Sequence, residues 1–483
     1  MIQKSCNAIG TCNSFFFKNL TNIRLNRQTL FESIEEHIIQ IKLMHVKKIL
    51  FSVFLFVITL VASSQTVYYP PLSSSATWET VSPQSLGWSA AKIDTLYRFL
   101  ENKNTKAFIV LKDGKIVLEK YFGTFTTDSV WYWASAGKSM TSFLIGKAQE
   151  DGFLSVNDPT NKYLGKGWTS CTETQENAIT IRHQLTMTTG LNDGVPDNHC
   201  TTPSCLVYLA APGTRWAYHT APYTLLEKVL ENATSTAVNV YTTSKLKQKT
   251  GITGLWAMLD YDNVYFSTAR SMARYGLLAQ QQFIWKTDTL LRDTAYIRAM
   301  TSSSQQLNPS YGYLWWLNGK SSFMLPTLQY VFSGAYAPEA PADMFAGLGK
   351  NGQIVSVSHS QGLVVVRMGN EPDTENPDVT PQFCNQIWQK LNDAMYNRTA
   401  VPTVPFNGNT VQLLHDAKNQ SITVRFEGAC DRLVVFDVSA KPLKIYLNPQ
   451  SPLKIELADF PKGVYFVRLK LGEVVKRLSF INN

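Results

Sequence analysis

Strand-type runs stand at both ends of a long stretch whose middle reads as helix and loop, and this placement limits the folds open to the chain more than any other feature. At the near end, residues 107–122 (AFIVLKDGKIVLEKYF) form two β-rich runs around Asp113-Gly114, a hairpin signal because both turn residues tolerate a left-handed backbone. At the far end, residues 352–358 (GQIVSVS) and 362–368 (GLVVVRM) alternate or are wholly apolar. An amphipathic helix is predicted over 90–102, with Ile93, Leu96 and Leu100 on one side. Further helices are expected over 135–150, stopped by Asp151-Gly152, and over 180–187, 223–231, 268–280 and 381–396. An antiparallel sheet completed by late strands, flanked by helices and carrying a mainly helical insertion, is an α+β domain.

The 483 residues leave room for a second unit. Residues 401–407 (VPTVPFN) read as a linker because of their two prolines. Beyond them, over 408–483, short strands such as ITVRF, LVVFDV, LKIEL and VYFVRL are separated by Asp, Gly, Asn and Pro, the pattern of a small β-sandwich. The formal charge of +9 suggests a nucleic-acid partner until it is located. Residues 1–48 hold seven Lys/Arg against three Glu and residues 408–483 hold eleven against seven Asp/Glu, so each end carries +4 and everything between them +1. A central region that near to neutral gives no reason to expect a phosphate backbone.

Residues 49–61 (ILFSVFLFVITLV) follow Lys47-Lys48 and precede Ala62-Ser63-Ser64-Gln65, the order of a secretory signal with a cut before Gln65. The run is short of the roughly 20 apolar residues that span a bilayer. A membrane anchor is the plainer alternative. Because signals begin near the initiating residue, Met44 (MHVKKILF) is the expected start, residues 1–64 are the N-terminal extension and signal, and residues 65–400 are the catalytic domain. The mature protein, secreted or held at the cell surface, then keeps Cys171, Cys200, Cys205, Cys384 and Cys430. Cys200 and Cys205 (CTTPSC) are spaced to close a tight loop, and the other three read equally as partners or as apolar free thiols. Neither the Cys nor the seven His residues have metal-ligand spacing, and no metal or other cofactor is expected.

The chemistry concentrates at Ser135-Ala136-Gly137-Lys138. In S-x-x-K at the start of a helix, the two side chains share a face, so an amine can serve as base to a hydroxyl that is otherwise a poor nucleophile. The pattern alone also fits an ordinary helix cap with a surface Lys. His183, His199, His219 and His359 suggest a Ser-His-Asp triad, but no G-x-S-x-G turn accompanies them.

The surrounding phrases decide between these readings. Glu150, Gly152, Leu154, Asp158 and Pro159 after the helix, and ITIRHQLTMTTGL at 179–191, resemble the serine β-lactamase and penicillin-binding-protein-like hydrolases, in particular their class C-like esterase and amidase branch. The resemblance covers roughly residues 80–395. It implies a nucleophilic Ser135, a basic Lys138 and a proton-relaying Tyr218, which ends the phrase APGTRWAY. His219 and Thr220 follow, with Thr220 where the family's Y-x-N has Asn. The phrase from Pro341 to Gln353 is similar to that of the 6-aminohexanoate-dimer hydrolases and aligns Phe345-Ala346-Gly347 with the family's K-T-G strand. On that alignment the amides of Ser135 and Leu348 form the oxyanion hole. Thr220, His219, Phe345, Ala346 and Gly347 bind substrate, with Phe345, or Lys350 as a displaced cation, setting the charge preference. Tyr311 to Trp316 and Phe266 to Arg270 also match family phrases, with structural or cleft-lining roles.

The tail, LVVFDVSAKPLKI followed by LADFPKGVYFVRLKLGEVVKRLSFI, resembles the C-terminal sorting domain of type IX secretion substrates, whose partner is the export machinery. A generic β-sandwich module is the alternative. The expected protein is therefore a secreted serine hydrolase acting on a small ester or amide through an acyl-enzyme on Ser135. A β-lactamase or D-alanyl-D-alanine carboxypeptidase, and a catalytically silent binding protein on the same fold, are the alternatives.

Overall fold

The structure is a computed structural model that describes residues 67–73, 77–372, 380–396, 411–416, 420–437, 441–461, 463–472 and 474–482. The expected leader, the start at Met44 and the 401–407 linker lie outside the described residues. Among the described residues, no helix is long and apolar enough to cross a membrane.

The first helix, α1 (Ala90–Asn102), buries Ile93, Leu96 and Leu100, the stripe legible in the sequence. The chain then turns through the hairpin of β1 (Thr105–Lys112) and β2 (Lys115–Tyr121) at Asp113-Gly114, both with positive φ. A short strand β3 (Val130–Tyr132) leads into the turn that holds Ser135 and then α2 (Lys138–Glu150). The helical insertion includes α3 (Thr220–Thr234). Strands β4 (Leu255–Leu259) and β5 (Asp262–Thr268) and helix α4 (Ala269–Gln280) close it. The main sheet is completed late, by β6 (Trp316–Leu317), β7 (Phe345–Gly349), β8 (Gln353–Ser358) and β9 (Leu363–Gly369), before the closing helix α5 (Thr380–Met395).

The six strands run in the order β2-β1-β9-β8-β7-β6, every neighbouring pair antiparallel. Late strand β9 thus sits beside early strand β1, with Ile109 opposite Val366 and Val110 opposite Val365. Helices cover both faces, which explains why β8 and β9 are buried along their whole length rather than at alternate residues. On one face Gly276 of α4 lies so close to β8 and β9 that an added Cβ would meet Val364 Cγ1 at 2.4 Å and Val355 Cγ2 at 3.0 Å. On the other, Trp388 of α5 donates to Ser356 Oγ at 3.2 Å. Adjacent residues of β8 therefore serve opposite layers, as the two-residue repeat of a strand requires. A second small sheet, in the order β3-β5-β4, stands beside the Ser135 turn.

The C-terminal residues form two antiparallel sheets around a core of their own. One holds β10 (Val411–Asp416), β11 (Ser421–Phe426) and β14 (Leu453–Glu456); the other holds β12 (Arg432–Phe436), β13 (Pro442–Leu447), β15 (Gly463–Leu471) and β16 (Val474–Asn482). Ile422, Val424 and Ile455 of the first sheet share that core with Leu433, Val435 and Val467 of the second. Here one face of each sheet meets solvent, so the strands alternate: Ile422 and Val424 are buried while Arg425 is exposed. This is a small sandwich.

Candidate active site

Ser135 lies in a single 3-10 turn (Ala134–Gly137) that runs directly into α2. Residues three apart eclipse one another in such a turn, so Ser135 and Lys138 share a side. The residue before Ser135, Ala134, has φ 47°, a left-handed conformation that costs a residue with a Cβ and persists only where its surroundings hold it. Those surroundings come from the small sheet. Trp133 N–H donates to Tyr265 O at 2.8 Å, and Trp133 Nε1 donates to Ser267 Oγ at 2.8 Å. Thr268 caps α4 by accepting from Ser271 N, and Arg270 pairs with both oxygens of Glu119 at 2.7 and 2.8 Å. The phrase around Phe266 is thus a brace behind the Ser135 turn.

Lys138 is buried and its Nζ lies 3.6 Å from the centre of the Tyr223 ring and 5.6 Å from that of Tyr218. Burial pulls its amine down to about 7, against the opposing pull of the Asp262 and Glu227 carboxylates. A substantial share of Lys138 is therefore neutral at pH 7 and able to take a proton. Glu227, also buried, is pushed up to about 8 by desolvation despite the hydrogen bond it accepts from Asn263.

Tyr218 reaches Ser135 because two of the motif phrases are bonded to each other. Gly213 N–H donates to Thr188 O at 2.8 Å and Ala217 N–H to Met187 O at 2.9 Å. Gly190, at φ 78°, is pressed against Ala210, whose carbonyl oxygen an added Cβ would meet at 2.1 Å. The Tyr218 ring stacks on Trp316 at 6.0 Å and meets Tyr311 edge-on at 6.2 Å. Burial raises its pKa well above the ordinary value, with the neighbouring Ser135 hydroxyl opposing part of the shift. It is a neutral phenol, able to donate and accept at once.

Strand β7 lies against the Ser135 turn through glycines. A Cβ on Gly347 would meet Ala136 O at 2.9 Å; one on Gly349 would meet Trp133 O at 2.5 Å and Ser135 N at 3.1 Å. Of the two glycines, it is Gly349 whose added Cβ would meet the Ser135 amide. Leu348 borders the cavity, whereas Phe345 is buried between Trp315, at 5.1 Å, and His359, at 5.3 Å. Neither Phe345, Ala346 nor Gly347 is among the cavity-lining residues, and the charged side chain that borders the cavity here is exposed Lys350, just past the end of β7.

The cavity, about 270 Å³, brings Ser135 and Tyr218 together with Thr220, Trp316 and Leu348. His219 does not line it. It is buried at the N-terminal boundary of α3 with both ring nitrogens lacking a protein partner, and desolvation pulls it down to about 4. His199 lines the cavity instead, and its Nδ1 lies 2.6 Å from Asp262 Oδ2. The sequence named His199 only as one of several scattered His; nothing in its spacing pointed to Asp262, 63 residues away. Of the other two, His183 bonds to Thr180 in a capping box and His359 packs on Phe345.

Cys200 and Cys205 form a disulfide beside His199, while Cys171, Cys384 and Cys430 are free thiols. Among the described residues, no group of three or more His, Cys, Asp or Glu could hold a metal ion.

The sequence model of the beta-lactamase family matches residues 101–382, more than half of the chain. No curated protein matches. Among solved structures, the chain is similar to a protein described as a beta-lactamase from Bacteroides dorei DSM 17855, with 16% identity and a TM-score of 0.51 over 64% of this chain and 99% of that one. It is also similar to a 6-aminohexanoate-dimer hydrolase homologue from Bacillus anthracis, with 15% identity and a TM-score of 0.51 over 70% of this chain and 91% of that one. Identities this low speak to the fold.

Proposed function

The chain belongs to the beta-lactamase family, whose members are serine hydrolases, and from that premise we propose that it is a secreted enzyme that cleaves an ester or small amide through an acyl-enzyme on Ser135. The observation that carries the reading is that Ser135 and Tyr218 line one cavity, with the buried Lys138 Nζ 5.6 Å from the Tyr218 ring and its amine pulled down to about 7 by burial.

In the first half-reaction Ser135 Oγ bonds to the substrate carbonyl carbon. Its proton passes through the Tyr218 phenol toward neutral Lys138, and the same groups return it to the departing alcohol or amine. The developing oxyanion is held by the Ser135 amide and a β7 amide, Leu348 on the sequence alignment. Each such donor is worth about 10²- to 10³-fold in rate. Water then attacks the acyl carbon, its proton leaves by the same path, and Ser135 Oγ is released with the carboxylic acid product.

Export rests on the apolar run at 49–61 and on the tail's resemblance to a sorting domain, and the Cys200–Cys205 disulfide is in keeping with an oxidising compartment. The test is a fluorophosphonate probe with a panel of short p-nitrophenyl esters, linear amides and nitrocefin. Expected are one adduct at Ser135, ester or amide turnover above nitrocefin turnover, and a loss of at least about 10³-fold in Ser135→Ala. Full turnover by S135A, or no adduct at Ser135, removes the mechanism.

A further inference from the structure

His199 is the one ionisable side chain of the cavity that the mechanism above leaves without a task, apart from the exposed Lys350. Its place is well defined. Its own N–H donates to Asp197 Oδ1 at 2.9 Å, and the carbonyl of Asn198, another cavity residue, accepts from Ala221 N–H in the first turn of α3 at 3.0 Å. On its other side the chain enters the Cys200–Cys205 disulfide. The imidazole is thus anchored through its backbone on both sides, and through Nδ1 by Asp262.

Asp262 opens β5 and also accepts from Thr224 Oγ1 of α3 at 3.4 Å. Burial works against its charge, but the His199 bond and the nearby Lys138 hold the carboxyl below its ordinary value. A carboxylate can only accept, so it fixes the proton of a neutral imidazole on Nδ1 and leaves a lone pair on Nε2. In the neutral ring the nitrogen not bonded to Asp262 is therefore an acceptor.

We propose that His199, oriented by Asp262, is a specificity-determining residue that accepts a hydrogen bond from an N–H or O–H group of the substrate, so that the cavity favours acyl esters or amides carrying such a donor close to the scissile carbonyl. The assignment rests on the reading of Ser135 as the nucleophile of that cavity. Asp262 is a positioning residue in this scheme. It sets the tautomer and does not touch the substrate.

The probes are p-nitrophenyl N-acetylglycinate and p-nitrophenyl acetoxyacetate, which differ in an N–H replaced by O. In alkaline buffer, where an ordinary imidazole is uncharged, the wild-type ratio of kcat/KM for the first over the second is expected to fall roughly fivefold to tenfold in His199→Phe, the worth of one neutral hydrogen bond. His199→Gln, which keeps an acceptor, should recover part of it. The two methyl esters are compared in parallel by calorimetric binding to S135A and to S135A carrying His199→Phe, a readout independent of turnover. A preference for the N–H ligand that disappears with His199 supports the assignment even if no ester is hydrolysed and the hydrolase reading falls. Equal binding of both ligands before and after the substitution, or binding of neither, overturns it while leaving Ser135 to be judged by its own adduct.

Discussion

At the floor of the cavity, Ser135 and Tyr218, with the buried Lys138 behind them, are held by regular structure and by phrases hydrogen-bonded to one another; at its rim, His199, Thr327 and Lys350 are exposed and stand on loops or a turn. The floor has almost no slack. Glycines 347 and 349 bring β7 against the backbone of the nucleophile turn, and Ala134 keeps a left-handed backbone that the brace around Trp133 holds in place. The rim is fixed at single points, such as one carboxylate and one disulfide. Chemistry that demands sub-ångström placement belongs on the first kind of support, and recognition that differs from one substrate to the next belongs on the second.

Substitutions rank the two regions. Lys138→Ala removes the base beneath Tyr218 and is expected to lower kcat by about 10³-fold with little change in KM, read by steady-state kinetics on whichever ester the panel selects. A raised KM with kcat unchanged would mean that Lys138 binds rather than reacts. Gly349→Ala puts a methyl group 2.5 Å from Trp133 O and 3.1 Å from Ser135 N, both backbone atoms, so the nucleophile turn must move. A shift of that size is expected to cost roughly 10²-fold in kcat and in the rate of fluorophosphonate labelling. Unchanged labelling would show more slack at the floor than the contacts allow.

The gentlest change joins the two regions. Asp262 accepts from His199 at the rim while its charge favours the Lys138 ammonium at the floor. In wild type, kcat/KM should rise with pH through about 7 as Lys138 loses its proton. Removing the charge in Asp262→Asn makes the ammonium less favourable and lowers the Lys138 value further, so the rising limb should move to lower pH by up to about one unit. A limb that moves up or stays put in the pH–rate profile would break the link between rim and floor.

What could be read in advance followed from how local each feature is. Helix α1 was legible to its ends because its stripe is periodic and it stands alone, and the β1–β2 hairpin because its turn residues announce it. Helix α3 begins at Thr220, three residues before the expected start at Tyr223, because Pro222 is tolerated in a first turn whose N–H groups have no helical partner. The helix expected over 180–187 shrinks to Ile181–Leu185, since Met187 takes a left-handed backbone to bond with the strand-like phrase before Tyr218. The sheet of β3, β5 and β4 went unread: it joins a three-residue strand at 130–132 to partners more than 120 residues later, and strands that short carry no pattern of their own. Register escaped for a related reason. The alignment named Leu348 as the residue whose amide joins that of Ser135, but how closely the flanking Gly347 and Gly349 meet the turn depends on how β7 is laid against it.

By itself the sequence determined that the Ser135 hydroxyl and the Lys138 amine share one side, because residues three apart on one helical turn are brought together by local geometry alone. It determined the α+β order of elements and the alternation of the C-terminal strands, because side-chain periodicity is a property of the chain. Only the tertiary structure decided that Lys138 is desolvated, that Phe345 is packed into the core instead of meeting substrate, and that His199 with Asp262 faces the cavity in place of His219. Those properties depend on which distant residues exclude water from a group or accept its proton, and no spacing along the chain encodes that.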